Sequence, residues 1–272
     1  MSDQAKQQIT AIFNKIADRY DNASMRYFPF VGDRLVELLQ LRPGEKVLDV
    51  AAGTGAVTIA AAQAIAPGGR VQAIDLSEKM LDKAWHNLQR AGLENADFHV
   101  MDAESLDFRG TDFDAITCSF GIFFLPDMQA GLREWHRVLK PGGRLLFTTF
   151  SENAFQPLAD QFRQALQDYG VEIPQQAWMR LTSQQECLDL LHDCGFQDPQ
   201  LVTEQMGYHL NGPDDWWEII MSSGFRGLLD QLTPEQQGRL RLAHLDDVKK
   251  LMTNKGLWLD VETLFVSGTR VT

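Results

Sequence analysis

The stretch Val47-Leu48-Asp49-Val50-Ala51-Ala52-Gly53-Thr54-Gly55 limits what this chain can become more than any other. An apolar run holding one acid ends in a small, glycine-spaced turn, and the alanine-rich residues Ala56 to Ala66 follow at once. That order reads as buried strand, tight turn, helix. Gly53 and Gly55 permit positive φ and let the backbone approach a ligand with no Cβ between them. The next helix opens with its free N–H groups aimed at the same spot. A glycine pair alone marks many ordinary turns. Here a second strand, Arg70 to Ile74, ends at Asp75, twenty residues beyond Gly55. At that spacing nucleotide-binding folds set a carboxylate on ribose hydroxyls.

The rest of the first half repeats the unit. Residues 5–20 carry Ile9, Ile12, Phe13 and Ile16 at helical spacing, and Gly32 to Leu39 forms a second helix stopped by Arg42-Pro43-Gly44. Ser77 caps a helix with Leu81, Ala84, Trp85 and Leu88 on one face. Strands follow at Asp97 to Met101, Phe113 to Ser119 and Arg144 to Phe150, with a helix from Pro126 between the last two. Five strands alternating with helices predict an α/β fold with a doubly wound, parallel sheet. Ligands on such sheets lie beyond the carboxyl ends of the strands, where Asp49, Asp75, Asp102 and Ser119 all fall.

The second half is less regular. Ser151 to Tyr169 reads as helix, Ser183 and Glu186 as a capping box, and Leu201 to Leu210 as a strand. Gly212 to Gly256 is helical, with Thr233-Pro234-Glu235-Gln236 as an internal helix start, and Leu257 to Arg270 is a last strand. One domain over residues 1–272 is expected: an N-terminal helical cap (1–42), a cofactor-binding core (46–150) and a helical substrate cap (212–256).

Composition excludes some partners. The net charge of −12 repels a phosphate backbone, and the basic residues Arg239, Arg241, Lys249 and Lys250 are interleaved with acids. Asp49, Gly53 and Gly55 break the one long apolar window, so no membrane span is expected. No charged-then-apolar leader is seen, and Cys118, Cys187 and Cys194 lack ligand spacing. Reduced thiols, no metal and a cytoplasmic setting follow as expectations.

Two nucleotide-derived cofactors could use the strand-end rim. A dinucleotide asks for a third glycine where this chain has Thr58. S-adenosylmethionine (SAM) has no phosphate and asks only for a carboxylate on the ribose, a polar contact to adenine and a cradle for the methionine tail.

Taken in order, Leu48 to Gly55, Asp75, Asp102-Ala103-Glu104, Phe113-Asp114, Ser119-Phe120-Gly121 and Arg137 to Gly143 resemble the motifs of class I SAM-dependent methyltransferases. The closest subgroup is the ubiquinone/menaquinone-biosynthesis methyltransferases, whose N-terminal helix Phe13 to Asp21 also resembles. The resemblance implies a Rossmann-like, mostly parallel seven-stranded sheet with an antiparallel last strand and a helical cap. It implies that Gly53, Thr54 and Gly55 hold the methionine part, with Asp49 near its ammonium. Asp75 would take the ribose, Asp102 and Ala103 the adenine, Ser119 the methionine tail, and Tyr20 would close over the cofactor. The chain departs from that subgroup at Asp102, where asparagine is usual, at Ile122-Phe123-Phe124-Leu125, and in the stretch 212–256. These departures point away from a quinone and toward a natural-product or other small-molecule acceptor.

The expected reaction is an in-line methyl transfer to a small, partly apolar molecule. Phe120, Phe123, Trp216 and Trp217 are candidate pocket walls, core packing being the alternative. His209 is the candidate general base, a solvated or core histidine being the alternative. An NAD-dependent oxidoreductase, a nucleic-acid methyltransferase and a SAM-binding protein without turnover remain as competing functions. A monomer or homodimer is expected.

Overall fold

The computed structural model describes residues 2–271. Nine strands and ten α-helices are found among them, in the order α1 (Ser2–Tyr20), α2 (Tyr27–Leu39), β1 (Lys46–Val50), α3 (Ala56–Ala64), β2 (Arg70–Asp75), α4 (Glu78–Arg90), β3 (Ala96–Val100), β4 (Phe113–Ser119), α5 (Met128–Val138) and β5 (Leu139–Phe150). The second half follows as α6 (Leu158–Gln167), α7 (Gln184–Asp193), β6 (Gln197–Gln205), β7 (Tyr208–Leu210), α8 (Pro213–Ser222), α9 (Arg226–Leu229), α10 (Pro234–Lys249), β8 (Leu257–Leu259) and β9 (Glu262–Thr269).

Seven strands make one sheet in the order β3-β2-β1-β4-β5-β9-β6. β1 to β5 pair in parallel, whereas β9 is antiparallel to β5 on one side and to β6 on the other. The expected sheet is therefore present, antiparallel last strand included. Strand order reverses between β1 and β4, the point at which such sheets open a crevice for ligands. Val47, Leu48, Val50, Ala115, Ile116 and Cys118 there are fully buried, as strands covered by helices on both faces require.

Local chemistry sets the helix ends. The Ser77 hydroxyl accepts from the Met80 N–H to open α4, and Asp127 does the same for Ala130 in α5. Asp127 rather than Pro126 is thus the start of that helix. Thr233 and Gln236 form a complete capping box on α10.

Three stretches of the second half differ from expectation. Ser151 to Tyr169 is helical only over α6, because Pro157 cannot continue an earlier helix and disfavours helical backbone in its predecessor. Residues 212–256 break into α8, α9 and α10 at Ser223-Gly224 and at the Thr233 cap. Finally, the two long strands each split. β7 and β8 form a separate two-stranded ribbon. The Gln205 Oε1 accepts from the N–H groups of Gly207 and Val261 at 2.8 and 2.9 Å, one at each break.

α1 packs on α4 and α8. Lys15 pairs with Asp230 and Arg19 with Glu218, so the N-terminal helix is tied to the helices of the 212–256 stretch. No described helix is long and apolar enough to cross a membrane.

Candidate active site

The carboxyl end of β1 is built around Asp49, which is buried and accepts from the Thr58 hydroxyl at 2.6 Å and the Thr117 hydroxyl at 2.8 Å. Burial pushes this carboxyl up to about 6, against the pull of those two hydrogen bonds. Beyond it the chain turns sharply, with Ala51 at φ 53°, Gly53 at φ 55° and Gly55 at φ 88°. The Gly53 N–H donates to Asp75 Oδ2 at 2.9 Å, and the Ser77 N–H to Asp75 Oδ1 at 2.8 Å. Burial raises the Asp75 carboxyl as well, opposed by those backbone donors. Each of its oxygens keeps a lone pair for a further donor. The Thr54 hydroxyl reaches Asp21 at 2.5 Å, which clamps the glycine turn to the end of α1.

The end of β4 mirrors this. Phe120 holds φ 51°, its N–H donating to Thr148 Oγ1 at 3.1 Å. Left-handed backbone at Ala51 and Phe120 carries a cost of about 1–2 kcal/mol each, and such strain gathers at functional sites. Gly121 is required here, since a Cβ on it would lie 2.5 Å from the Ala51 Cβ.

Three adjoining cavities open along this rim. A cleft of about 100 Å³ is bordered by Gly53, Asp75, Asp102, Ala103, Ser119 and Lys6, among others. A smaller recess of about 40 Å³ is bordered by Asp49, Gly53, Thr54 and Ser119, among others. A chamber of about 220 Å³ is walled by Phe28, Phe120, Phe123, Phe155, Trp178 and Phe225, among others. Tyr20 borders all three. Its ring stacks on Phe28 with centroids 4.9 Å apart. Gly55 borders none of them; it opens α3 and approaches Ala84, where a Cβ would sit 3.1 Å from the Ala84 Cβ.

Two sets of expected site residues lie elsewhere. Trp216 and Trp217 are buried in the helical layer: the Trp216 N–H donates to His244 Nε2 at 2.9 Å, and Arg241 covers Trp217. The 212–256 stretch reaches the chamber instead through Ile219, Ser223, Gly224 and Phe225. His209 sits on the β7–β8 ribbon with its ring 5.0 Å from that of Trp258, and borders none of the three cavities. A strand-end position on the main sheet argued for it, and the ribbon removes that position.

Lys6 is the residue that sequence reasoning missed. Its ammonium lies 2.7 Å from Asp102 Oδ2 and also pairs with Glu104, across the cleft from α1. Lys6, Ile9 and Phe13 share one helix face, and all three border the cleft. Phe155 comes from a turn and Trp178 from a short 3₁₀ helix (Ala177–Arg180), neither long enough for a sequence period to reveal it.

The sequence model described as the ubiE/COQ5 methyltransferase family matches residues 1–193. The chain belongs to that family. It is 34% identical over 159 residues to the aklanonic acid methyltransferase DauC of Streptomyces sp. strain C5, covering 58% of this chain and 72% of that one. It is 35% identical over 162 residues to the ubiquinone/menaquinone biosynthesis C-methyltransferase UbiE of Cronobacter sakazakii, covering 57% of this chain and 64% of that one. In fold it is similar to a SAM-dependent methyltransferase from Aquifex aeolicus, with TM-score 0.55 and 22% identity over 70% of this chain and 91% of the other. The protein is a SAM-dependent methyltransferase, and SAM is its cofactor. The residues present fit that group: Asp75 offers free lone pairs to hydroxyl donors, the turn at Gly53 is open to close approach, and the buried Asp49 and half-buried Asp75 offer carboxylates to a cation.

Proposed function

We propose that the acceptor is a small, flat, oxygenated aromatic molecule, held in the chamber walled by Phe120, Phe123 and Phe225 while SAM occupies the cleft and recess. The observation that carries this reading is Tyr20, which borders cleft, recess and chamber together and so marks where the methyl group would cross. Asp75 takes the ribose hydroxyls in charge-assisted bonds. Asp102 and the backbone of Ala103 face the adenine. Gly53, Thr54 and Ser119 line the methionine tail, with Asp49 balancing its ammonium.

SAM supplies a methyl group already activated as a sulfonium. The chain's own work is to hold the acceptor in line and to exclude water, which can lower the barrier by roughly 7–11 kcal/mol. Phenylalanine faces suit a flat ring, and one relative is named for ubiquinone and menaquinone biosynthesis. Residues 212–256 form the acceptor cap through Ile219 and Phe225. The protein works in the cytoplasm as a monomer or homodimer, without nucleic acid, since its charge of −12 opposes phosphate backbones.

A panel of naphthols, quinols and aliphatic amines, scored by S-adenosylhomocysteine release, tests this reading. Turnover is expected with flat aromatic acceptors. Turnover confined to the aliphatic amines would overturn it.

A further inference from the structure

The aromatic chamber has an unusual chemical make-up. Among the described residues that border it there is no carboxylate, imidazole, thiol, ammonium or guanidinium. Its ionisable groups are the phenols of Tyr20 and Tyr27, both held far above their ordinary range by burial. Neither can take a proton from an acceptor near neutral pH. The remaining polar groups are the side chains of Gln175, Gln176 and Ser223 and the Trp178 indole N–H, a buried donor with no partner among the described residues. Gln175 is exposed and Gln176 and Ser223 partly so, which puts those three at the solvent side and leaves the neutral Trp178 N–H as the buried polar group among them.

The neighbouring cleft offers no base either. Lys6 there is engaged by Asp102 and Glu104. Asp102 Oδ1 also accepts the Glu104 N–H at 2.9 Å. Asp49, in the recess, is held by the Thr58 and Thr117 hydroxyls, and Asp75, held by the backbone of Gly53 and Ser77, has its remaining lone pairs assigned to the ribose hydroxyls. His209 points its chemistry at Trp258 on the ribbon.

Resting on the assignment of this chamber to the acceptor, we propose that the enzyme selects acceptors acidic enough to lose their proton to water unaided: flat aromatic hydroxyl compounds or enolisable carbon acids, taken up as anions. An anion in an apolar chamber is costly unless it meets an opposite charge. No side chain on the wall provides one, so the acceptor anion and the cationic cofactor must be held together. The acceptor's electron pair forms the new bond to the methyl carbon while the carbon–sulfur bond breaks and its electrons stay on sulfur. The proton has already gone to bulk water, and an anion and a cation become two neutral products. A neutral product keeps no charge partner in the chamber, and this favours its release.

Substituted 1-naphthols of one size, ionising from about pH 6 to about pH 10, test the proposal on the intact enzyme. The acid limb of kcat/KM is expected to move with each naphthol's own pKa. A limb fixed at one pH for the whole series would mean a protein base and overturn the proposal alone. A second readout does not use turnover. The absorption spectrum of a bound naphthol is expected to be that of the naphtholate with sinefungin, a cationic non-transferring cofactor analogue, and affinity is expected to fall about tenfold or more with neutral S-adenosylhomocysteine. A neutral naphthol spectrum with both, and equal affinity, would overturn it. The His209→Ala variant is expected to keep the wild-type profile; loss of its acid limb would contradict the proposal. If Phe225→Leu leaves naphthol affinity unchanged, the chamber assignment itself falls, and the proposal with it.

Discussion

The Lys6 ammonium on α1 lies 2.7 Å from the Asp102 carboxylate at the end of β3, so the N-terminal helix is fastened to the loop that borders the cleft proposed for the cofactor. Burial pulls the lysine pKa down, and the hydrogen bonds and charges of Asp102 and Glu104 more than offset it, leaving it raised. The contact closes one wall of the cleft. Lys6→Met is expected to weaken SAM binding about fivefold, equivalent to roughly 1 kcal/mol for a partly exposed pair. Isothermal titration at low salt measures it, and an affinity equal to wild type would mean the pair does not support the cleft.

Asp49 gives the fold a particular pH response. Its pKa of about 6 lies above the ordinary carboxylate value. Between about pH 4 and pH 6 the fold therefore binds a proton that the unfolded chain does not, and stability falls as pH rises through that window. Above it the missing stability amounts to roughly 3 kcal/mol. Asp49→Asn is expected to raise the Tm of the ligand-free protein more at pH 7.5 than at pH 5, while weakening SAM binding. Scanning calorimetry at the two pH values checks this; an equal change at both would refute the assignment of the shift to Asp49.

His244 responds in the opposite sense. Burial holds it neutral with a pKa pushed down to about 4, and its Nε2 accepts the Trp216 N–H. Between about pH 6.5 and pH 4 the unfolded chain takes up a proton that the fold refuses. This histidine's contribution, up to about 3 kcal/mol, is complete above the window and lost as pH falls through it. His244→Gln keeps an acceptor for Trp216 and cannot titrate. Its Tm is expected to drop less than that of wild type between pH 7 and pH 5, and an equal drop would rule out this role.

Two aromatic residues of the helical stretch should separate by function. Phe225 borders the aromatic chamber proposed for the acceptor, and Trp216, packed behind it with ring centroids 5.8 Å apart, does not. Phe225→Leu is expected to raise the acceptor KM several-fold with SAM affinity unchanged. Trp216→Phe removes a buried hydrogen bond and is expected to lower stability by about 1–2 kcal/mol with KM unchanged. Steady-state kinetics beside denaturant melts distinguish them; a KM change in Trp216→Phe alone would reverse the assignment.

The first half of the fold was legible because β1, β2 and β4 are apolar runs that end at Asp49–Val50, Asp75 and Ser119, next to turns that only small residues make. The second half was not, since one side chain, Gln205, caps both strand breaks and no periodicity announces it. Around the site, residues at strand ends could be placed from the sheet's logic alone. Trp216 and Trp217 could not, because an aromatic pair reads the same in sequence whether it faces a chamber or a neighbouring helix. Phe120 concealed its left-handed backbone for a similar reason: nothing in its identity signals a positive φ.

The central claim is that SAM lies across the rim formed by the ends of β1 and β2, and Asp75 is its sharpest point. Asp75→Asn keeps the shape and one acceptor oxygen, yet must give up the charge and either a backbone donor or a ribose hydroxyl. Calorimetric titration of SAM into this variant is expected to show affinity about thirtyfold or more below wild type, since a hydrogen bond to a charged group is worth about 1.5–3 kcal/mol. Wild-type affinity in Asp75→Asn would contradict the account.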